Sequence, residues 1–319
     1  MEILRHIGEQ KLSLPRPILT MGNFDGIHLG HHALIRRLVQ DAKDVAGCSV
    51  VLTFEPHPLK LLAPDRAPRL ILAHKDKMLL LRSLGIDVVV IQEFNAAFAA
   101  LEPRDFVLGY LVEGLGVHRI WVGKEFRFGR GRKGDVDALA RWGTEFGFEV
   151  KIMEPVLDEN QRISSTRIRS LIEQGEVHRV SRYLGRCHFV SGRVVRGEQR
   201  GRELGFPTAN IATRTEVLPP DGVYATFLWL QGRRWPGVSS LGLNPTFGEG
   251  PRTLETFLFD FRENLYDKPV RLSFVQRIRE QRKFSSPELL IAQMQQDVER
   301  AKEALREVGD TESAVFGTS

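Results

Sequence analysis

In the first half of the chain, short apolar runs alternate with amphipathic stretches. Ile18–Met21, Val50–Phe54, Val88–Ile91, Ile120–Val122 and Val150–Met153 are short and mostly β-branched, which predicts strands. Between the first two lies HHALIRRLVQDAKDVAG, where Leu34, Ile35, Leu38, Val39, Ala42 and Val45 mark one helical face. Gly47 suits the C-terminal cap of that helix. In EPRDFVLGYLVEGLG, Pro103 fits a first helical position. Repeated strand–helix–strand order predicts a parallel sheet covered by helices on both faces. Such sheets bind ligands at the carboxyl ends of their strands.

The second half has a different period. Phe189–Val195, Val223–Leu230, Leu254–Phe261 and Val270–Gln276 alternate or are β-rich, and Gly/Pro-rich stretches separate them. A helical pattern returns only from Ser286 to about Glu307, with Ser286 as cap and Pro287 as first residue. The expected fold is an α/β domain with a parallel sheet, followed by a small antiparallel β-barrel with a C-terminal helix. The boundary is expected after the helical pattern of Glu176–Leu184, giving domains 1–184 and 185–319. The end of the chain, from Asp310, is expected to fray.

Composition narrows the class without changing this picture. A chain of 319 residues with 42% apolar and 27% charged residues suits two globular domains. No apolar run approaches the roughly 18 residues of a membrane span, so no membrane partner is expected. The start, MEILRHIGEQ, carries charge where a signal peptide needs an apolar stretch. Cys48 and Cys187 stand far apart, which excludes a disulfide framework and points to a cytoplasmic protein with reduced thiols. The charge is +5. That mild excess suits phosphate binding and does not call for nucleic acid.

The sharpest local signal is MGNFDGIHLGHH, Met21–His32. A strand ends, glycines turn the chain, and a helix starts near Gly30. His28 and His31 then sit three apart at a helix N-terminus, where free N–H groups and the helix dipole favour an anion. Two imidazoles add donors that can follow charge developing on a phosphate. A zinc site built on His28, His31 and His32 is a weaker alternative, because no carboxylate accompanies them in the zinc-protease pattern. The second piece is RISSTRIRSLIEQG, Arg162–Gly175. Ser164 or Ser165 can cap a helix whose buried face is Ile168, Leu171 and Ile172. Arg167 and Arg169 oppose the dipole in its first turn, which points to a compensating anion. A capped surface helix with two solvated arginines is the alternative.

In the second half, LGFPTAN covers Leu204–Asn210. Thr208 and Asn210 are two apart and share a face on an extended chain. Their hydroxyl and amide oxygens suit Mg²⁺ bridging phosphates. Glycines at 197, 201 and 205 let backbone approach phosphate, although a plain Gly/Pro turn would look the same. Further on, Glu255 shares a strand face with Phe257, Phe259 and Phe261. A carboxylate on an aromatic face is expensive unless paired or used. An edge-strand glutamate reaching solvent is the alternative.

Taken together, GNFDGIHLGHH, VGKEFRFGRGRKGD and ISSTRIR resemble the bacterial bifunctional riboflavin kinase/FAD synthetase family. In the second half, GRVVRGEQRGRELGFPTAN, DGVYAT, GLNPTFG, LETFLFDF, NLYDK and IREQRKF extend the resemblance in order over nearly the whole chain. It implies an N-terminal nucleotidyltransferase domain of the HxGH type. His28 and His31 would stabilise the α-phosphate of ATP during attack by FMN, and Asn23, Asp25 and Gly26 would shape the nucleotide pocket. Ser164, Ser165, Thr166, Arg167 and Arg169 would clamp the β/γ oxygens. Glu125 stands where the family commonly has Asp or Asn; it and Phe126 are the implied flavin contacts there. In the barrel, Glu255 would take the proton from the riboflavin 5′-hydroxyl. Gly201, Thr208 and Asn210 would bind ATP, with Thr208 and Asn210 on Mg²⁺, and Arg279 would lie near the flavin or its phosphate.

The implied partners are riboflavin, FMN and ATP, and the implied products are FMN and FAD. Two rivals fit less well. An aminoacyl-tRNA synthetase would carry a tRNA-binding module where this chain carries LGFPTAN. An RNA-binding barrel would interleave exposed aromatics with basic residues, whereas Phe257 and Phe259 share their face with an acid.

Overall fold

Six strands of the first half pair in parallel. They are β1 (Glu2–Arg5), β2 (Pro17–Met21), β3 (Cys48–Glu55), β4 (Val88–Glu93), β5 (Arg119–Gly123) and β6 (Glu149–Met153), in the order β1-β4-β3-β2-β5-β6. The structure, a computed structural model, describes the chain except residues 8–11, 198–200, 202–204, 244–251, 307, 310–312 and 317–319. All five residues of β2 are buried, as are most of β3 and β4. Strands covered on both faces need such continuous apolar runs. Leu19, Leu52, Val90, Phe106, Leu111 and Ile120 share one buried cluster. From β2 the chain builds outward to β3 and β4 on one side and to β5 and β6 on the other. The strand order therefore reverses between β2 and β5, where sheets of this kind open a ligand crevice. Two short strands, β7 (Leu157–Asp158) and β8 (Gln161–Arg162), form a hairpin after β6.

The first helix covers Leu29–Asp44, and its C-terminal cap is Val45 rather than the expected Gly47. Ala46 takes the left-handed conformation (φ 48°). Gly47 is required for another reason: a Cβ there would lie 2.3 Å from the Arg16 carbonyl oxygen. Pro103 does open a helix, Pro103–Phe106, and a π-helical stretch, Val107–Gly114, follows it.

The second half forms a closed antiparallel barrel. Its strands are β9 (His188–Val195), β10 (Thr208–Thr213), β11 (Gly222–Leu230), β12 (Arg233–Gly242), β13 (Thr253–Leu258) and β14 (Pro269–Arg279). Their order around the barrel is β10-β13-β12-β11-β14-β9. Val190, Ile211, Tyr224, Leu228, Leu254 and Phe274 belong to the cluster that fills it. The helix Pro287–Arg306 packs Val298, Ala301 and Leu305 against Ala225, Phe227 and Val275. As expected, Pro287 starts that helix, and Ser286 Oγ accepts the Leu289 N–H at 3.4 Å. Because β13 is paired with both β10 and β12, Glu255 does not lie on an edge strand. The strand ends at Leu258 and Asp260 turns left-handed (φ 53°), so of the three phenylalanines only Phe257 shares the strand face with Glu255 inside β13.

By contacts, the chain divides into Met1–Arg69 with Lys77–Ile163 and Leu70–Asp76 with Ser164–Ser319. The seven-residue excursion is tied into the second unit by specific bonds. Leu70 donates its N–H to Glu216 Oε2 at 2.7 Å, and Ser191 Oγ donates to Asp76 Oδ1 at 2.6 Å. The helices Ser165–Glu173 and Val177–Leu184 also fall in this unit, and Val177 is buried with the barrel core.

Candidate active sites

The turn after β2 carries the histidine pair. His28 caps the Leu29–Asp44 helix, and its Nδ1 accepts the His31 N–H at 3.3 Å. A neutral imidazole that accepts at Nδ1 carries its proton on Nε2, so His28 presents an N–H donor on the far side of its ring. The His28 and His31 rings stack 3.7 Å apart at 13°, and the Phe24 edge meets His31 at 5.1 Å. Burial pushes the His31 pKa well below the usual 6.5, and the neighbouring His28, His32, Lys77 and Arg162 push it the same way. His31 Nδ1 is buried with no hydrogen-bond partner among the described residues. A neutral histidine at a helix start with no acidic residue in the first turn can take up charge as an anion arrives.

The backbone of this turn is strained. Phe24 (φ 47°) and Ile27 (φ 38°) adopt conformations that bulky side chains rarely take, and Gly26 (φ 80°) sits between them. Phe24, Asp25, Gly26 and Ile27 are all buried. Next to them, the Asn23 amide lies 3.0 Å from His57 Nε2. His57 Nδ1 accepts the Leu59 N–H at 3.2 Å and caps the Pro58–Leu62 helix.

Two features of this region escape the sequence reading. Lys77 bonds the Asn23 carbonyl, a link that no spacing predicts. An aromatic chain also runs from the ends of β3 and β4: Phe54–Phe94 (5.8 Å), Phe94–Phe98 (5.6 Å), Phe98–Phe106 (5.7 Å), Phe106–Phe128 (5.9 Å) and Phe128–Trp142 (6.2 Å). Phe126 stacks on Phe128 at 5.5 Å and so joins this wall. Glu125, exposed on the turn after β5, forms an ion pair with Arg162.

In the second unit, Ser164 is the N-cap of the Ser165–Glu173 helix and accepts the Arg167 N–H at 3.3 Å. Ile168, Leu171 and Ile172 are its buried residues, as the sequence predicts. Arg167 lies 5.0 Å over the Tyr183 ring. Thr166 is exposed, and Ser165 and Arg169 are half-buried.

On the barrel, β10 and β13 bring the remaining residues together. Asn210 lies opposite Glu255 and Thr208 opposite Phe257. Glu255 Oε2 accepts from Thr208 Oγ1, and Glu255 Oε1 from Thr253 Oγ1, both at 3.3 Å. The Phe206 ring meets Phe257 at 5.2 Å. The glycines are tightly placed. A Cβ on Gly197 would fall 2.2 Å from Asn210 Nδ2, and one on Gly201 would fall 2.4 Å from the Phe206 carbonyl oxygen. Most of GLNPTFG, from Asn244 onward, and Leu204 of LGFPTAN lie outside the described residues. Arg279 is held by the C-terminal helix: its Nε (2.9 and 3.0 Å) and Nη2 (2.7 Å) donate to the buried Asp297 carboxylate. Its Nη1 donates to the Glu280 carbonyl at 2.8 Å, so among the described residues one N–H on each terminal nitrogen has no hydrogen-bond partner.

A family model for FAD synthetase matches residues 11–167, and one for riboflavin kinase matches residues 184–305. The chain belongs to the bifunctional riboflavin kinase/FMN adenylyltransferase family. It is 38% identical over 287 residues to the enzyme of that name from Pseudomonas fluorescens, covering 89% of this chain and 92% of that one. Against the Escherichia coli (strain K12) enzyme the identity is 37%, with 90% and 92% covered. A solved Streptococcus pneumoniae structure, described as a macrolide-efflux protein, superposes with a TM-score of 0.85 at 30% identity, covering 97% of this chain and 100% of that one. Both enzyme domains of the family are present, and the chain is a riboflavin kinase and FMN adenylyltransferase.

Proposed function

We propose that the Met21–His32 turn carries adenylyl transfer and the β10–β13 face carries riboflavin phosphorylation. The observation that supports this division is that the two matched family segments separate the histidine pair from the barrel residues. His28 and His31 lie within 11–167, and Thr208, Asn210 and Glu255 lie within 184–305. By function we place the domain boundary at 184/185, where the riboflavin kinase match begins.

In the kinase reaction, Glu255 takes the proton of the riboflavin 5′-hydroxyl as that oxygen attacks the γ-phosphorus of ATP. The bond to the bridging oxygen breaks and ADP leaves with FMN formed. Glu255 is oriented by hydroxyl donors on both carboxylate oxygens. Thr208 and Asn210 offer hard oxygen donors beside a carboxylate, a set that fits Mg²⁺. Bound there, Mg²⁺ would neutralise charge on the ATP phosphates. Gly201 keeps the backbone close to Phe206 and Thr208, where the nucleotide phosphates would lie. Arg279 contributes its remaining N–H groups to the flavin or its phosphate.

In the adenylyltransferase reaction, an oxygen of the FMN phosphate attacks the α-phosphorus of a second ATP and pyrophosphate leaves. The His28 Nε2–H and His31 stabilise the charge that builds on the α-phosphate oxygens. Asn23, Asp25 and Gly26 shape the nucleotide pocket, and Ser164, Ser165, Thr166, Arg167 and Arg169 bind the β/γ oxygens. The aromatic wall that includes Phe126 offers a flat apolar surface for the isoalloxazine ring, with Glu125 at its margin. We assign the protein to the cytoplasm, since Cys48 and Cys187 are both free thiols.

Incubation of the purified chain with riboflavin, ATP and Mg²⁺, followed by chromatography, tests the reading. FMN should appear first and FAD after it. If neither flavin nucleotide forms, both assignments are wrong.

A further inference from the structure

Lys77 sits on the His74–Ser83 helix and reaches the ends of two adjacent strands. Its Nζ donates to the Asn23 carbonyl and to Thr53 Oγ1, each at 3.2 Å. Asn23 follows β2 and Thr53 lies near the end of β3, so one ammonium ties the two together. An ammonium has three donors, and the third has no partner among the described residues. Burial pushes the Lys77 pKa down, and the Asp25 and Glu55 carboxylates push it back up. The two carboxylates offset part of the cost of burying this charge, and its directed bonds go to the Asn23 carbonyl and the Thr53 hydroxyl.

The carbonyl it holds is the one that leads into the strained backbone. Phe24 and Ile27 are at positive φ with side chains only 3% and 0% exposed. Backbone of this kind persists where its surroundings over-determine it. The Asn23–Phe24 peptide is planar, so a carbonyl fixed towards Lys77 fixes the Phe24 N–H in the opposite direction. Immediately downstream lie the His28 cap and the stacked His31.

We propose that Lys77 is a positioning residue for adenylyl transfer: its ammonium holds the Asn23 carbonyl, and through it the strained Phe24–Ile27 backbone that carries His28 and His31. The proposal rests on the reading of this turn as the adenylylation site. Lys77 acts through the turn, by fixing where the two imidazoles stand.

The test uses the full-length chain and both reactions. Lys77→Met keeps the length of the side chain and removes its donors. Its kcat for FMN adenylylation should fall about 10²-fold, the scale of a misplaced catalytic group. Riboflavin phosphorylation by the same sample should be unchanged, which shows that the protein is folded. Lys77→Arg keeps charge and donors and should recover most of the loss. Thr53→Val removes one anchor without touching the turn, and should lower the same kcat less than Lys77→Met does; it serves if Lys77→Met does not fold. Wild-type adenylylation in Lys77→Met or in Thr53→Val overturns the proposal, and so does an Arg variant no better than Met with the kinase intact. A His28→Ala/His31→Ala variant run alongside separates the two levels. If it loses FAD formation while Lys77→Met keeps it, the Lys77 proposal alone fails; if it keeps FAD formation, the site assignment fails and the proposal falls with it.

Discussion

Asn210 on β10 stands directly opposite Glu255 on β13. Paired residues on neighbouring strands point to the same side of a sheet, so the amide and the carboxylate project together. A carboxylate oxygen has more than one acceptor site, so Glu255 can take the proton of a substrate alcohol while it holds the Thr208 and Thr253 hydroxyls. Glu255→Gln keeps the shape and removes the base. Riboflavin phosphorylation should fall by about 10²–10⁴-fold. Adenylylation of supplied FMN should persist, and near-normal FMN formation from riboflavin would remove Glu255 from the mechanism.

Two glycines beside this face should respond differently to alanine. At Gly197 the added methyl meets the Asn210 amide at 2.2 Å, and a side chain can swing aside. Gly197→Ala should therefore cost kinase activity through Asn210 and leave the melting temperature nearly unchanged. At Gly201 it meets the Phe206 carbonyl oxygen at 2.4 Å, and backbone cannot move as cheaply. Gly201→Ala should lower the melting temperature as well as activity. Equal melting temperatures for the two variants would contradict this reading of the close contacts.

His188 predicts an acid-sensitive barrel. It is 1% exposed, its Nε2 faces the Val217 carbonyl at 3.2 Å, and burial lowers its pKa from 6.5 to about 4. The unfolded chain takes up a proton below about pH 6.5, and the native state does not until about pH 4. The contribution is therefore complete above pH 6.5 and is lost as the pH falls towards 4. At pH 5 the loss is about 2 kcal/mol. Melting curves between pH 7 and pH 5 should show a smaller drop for His188→Gln than for the wild type. An identical pH dependence would mean that folding does not shift the His188 pKa.

Five of the six strands of the sheet were legible: β2, β3 and β4 are buried and continuously apolar, while β5 and the edge strand β6 stand out by their β-branched residues. β12 was not: Pro236 and Gly237 break RRWPGVSSLG, and both are absorbed where Phe227 and Thr226 pair with them. β10 was obscured by the Gly/Pro-rich approach to Thr208, and β1 by its length of four residues. The left-handed turn at Ala46 instead of Gly47 shows how a glycine can serve a close approach, here to Arg16, while its neighbour takes the left-handed conformation. His28, His31, Ser164 and Glu255 announce themselves by position at a helix start or on a strand face. Lys77 does not, because HKDKM looks like any charged helical surface until β2 and β3 lie side by side. The aromatic wall is hidden for the same reason: its members come from β3, β4 and the segments after them, far apart in sequence.

The central claim is that two separate constellations in one chain perform two successive reactions. The most direct test is the flavin product profile of full-length His28→Ala/His31→Ala given riboflavin, ATP and Mg²⁺. FMN should form at the wild-type rate, and FAD formation should fall by about 10²–10³-fold or more, since one lost transition-state donor costs that much. The double variant should convert riboflavin to FMN and stop. FAD at the wild-type rate, or loss of both products with an unchanged melting curve, would contradict the account.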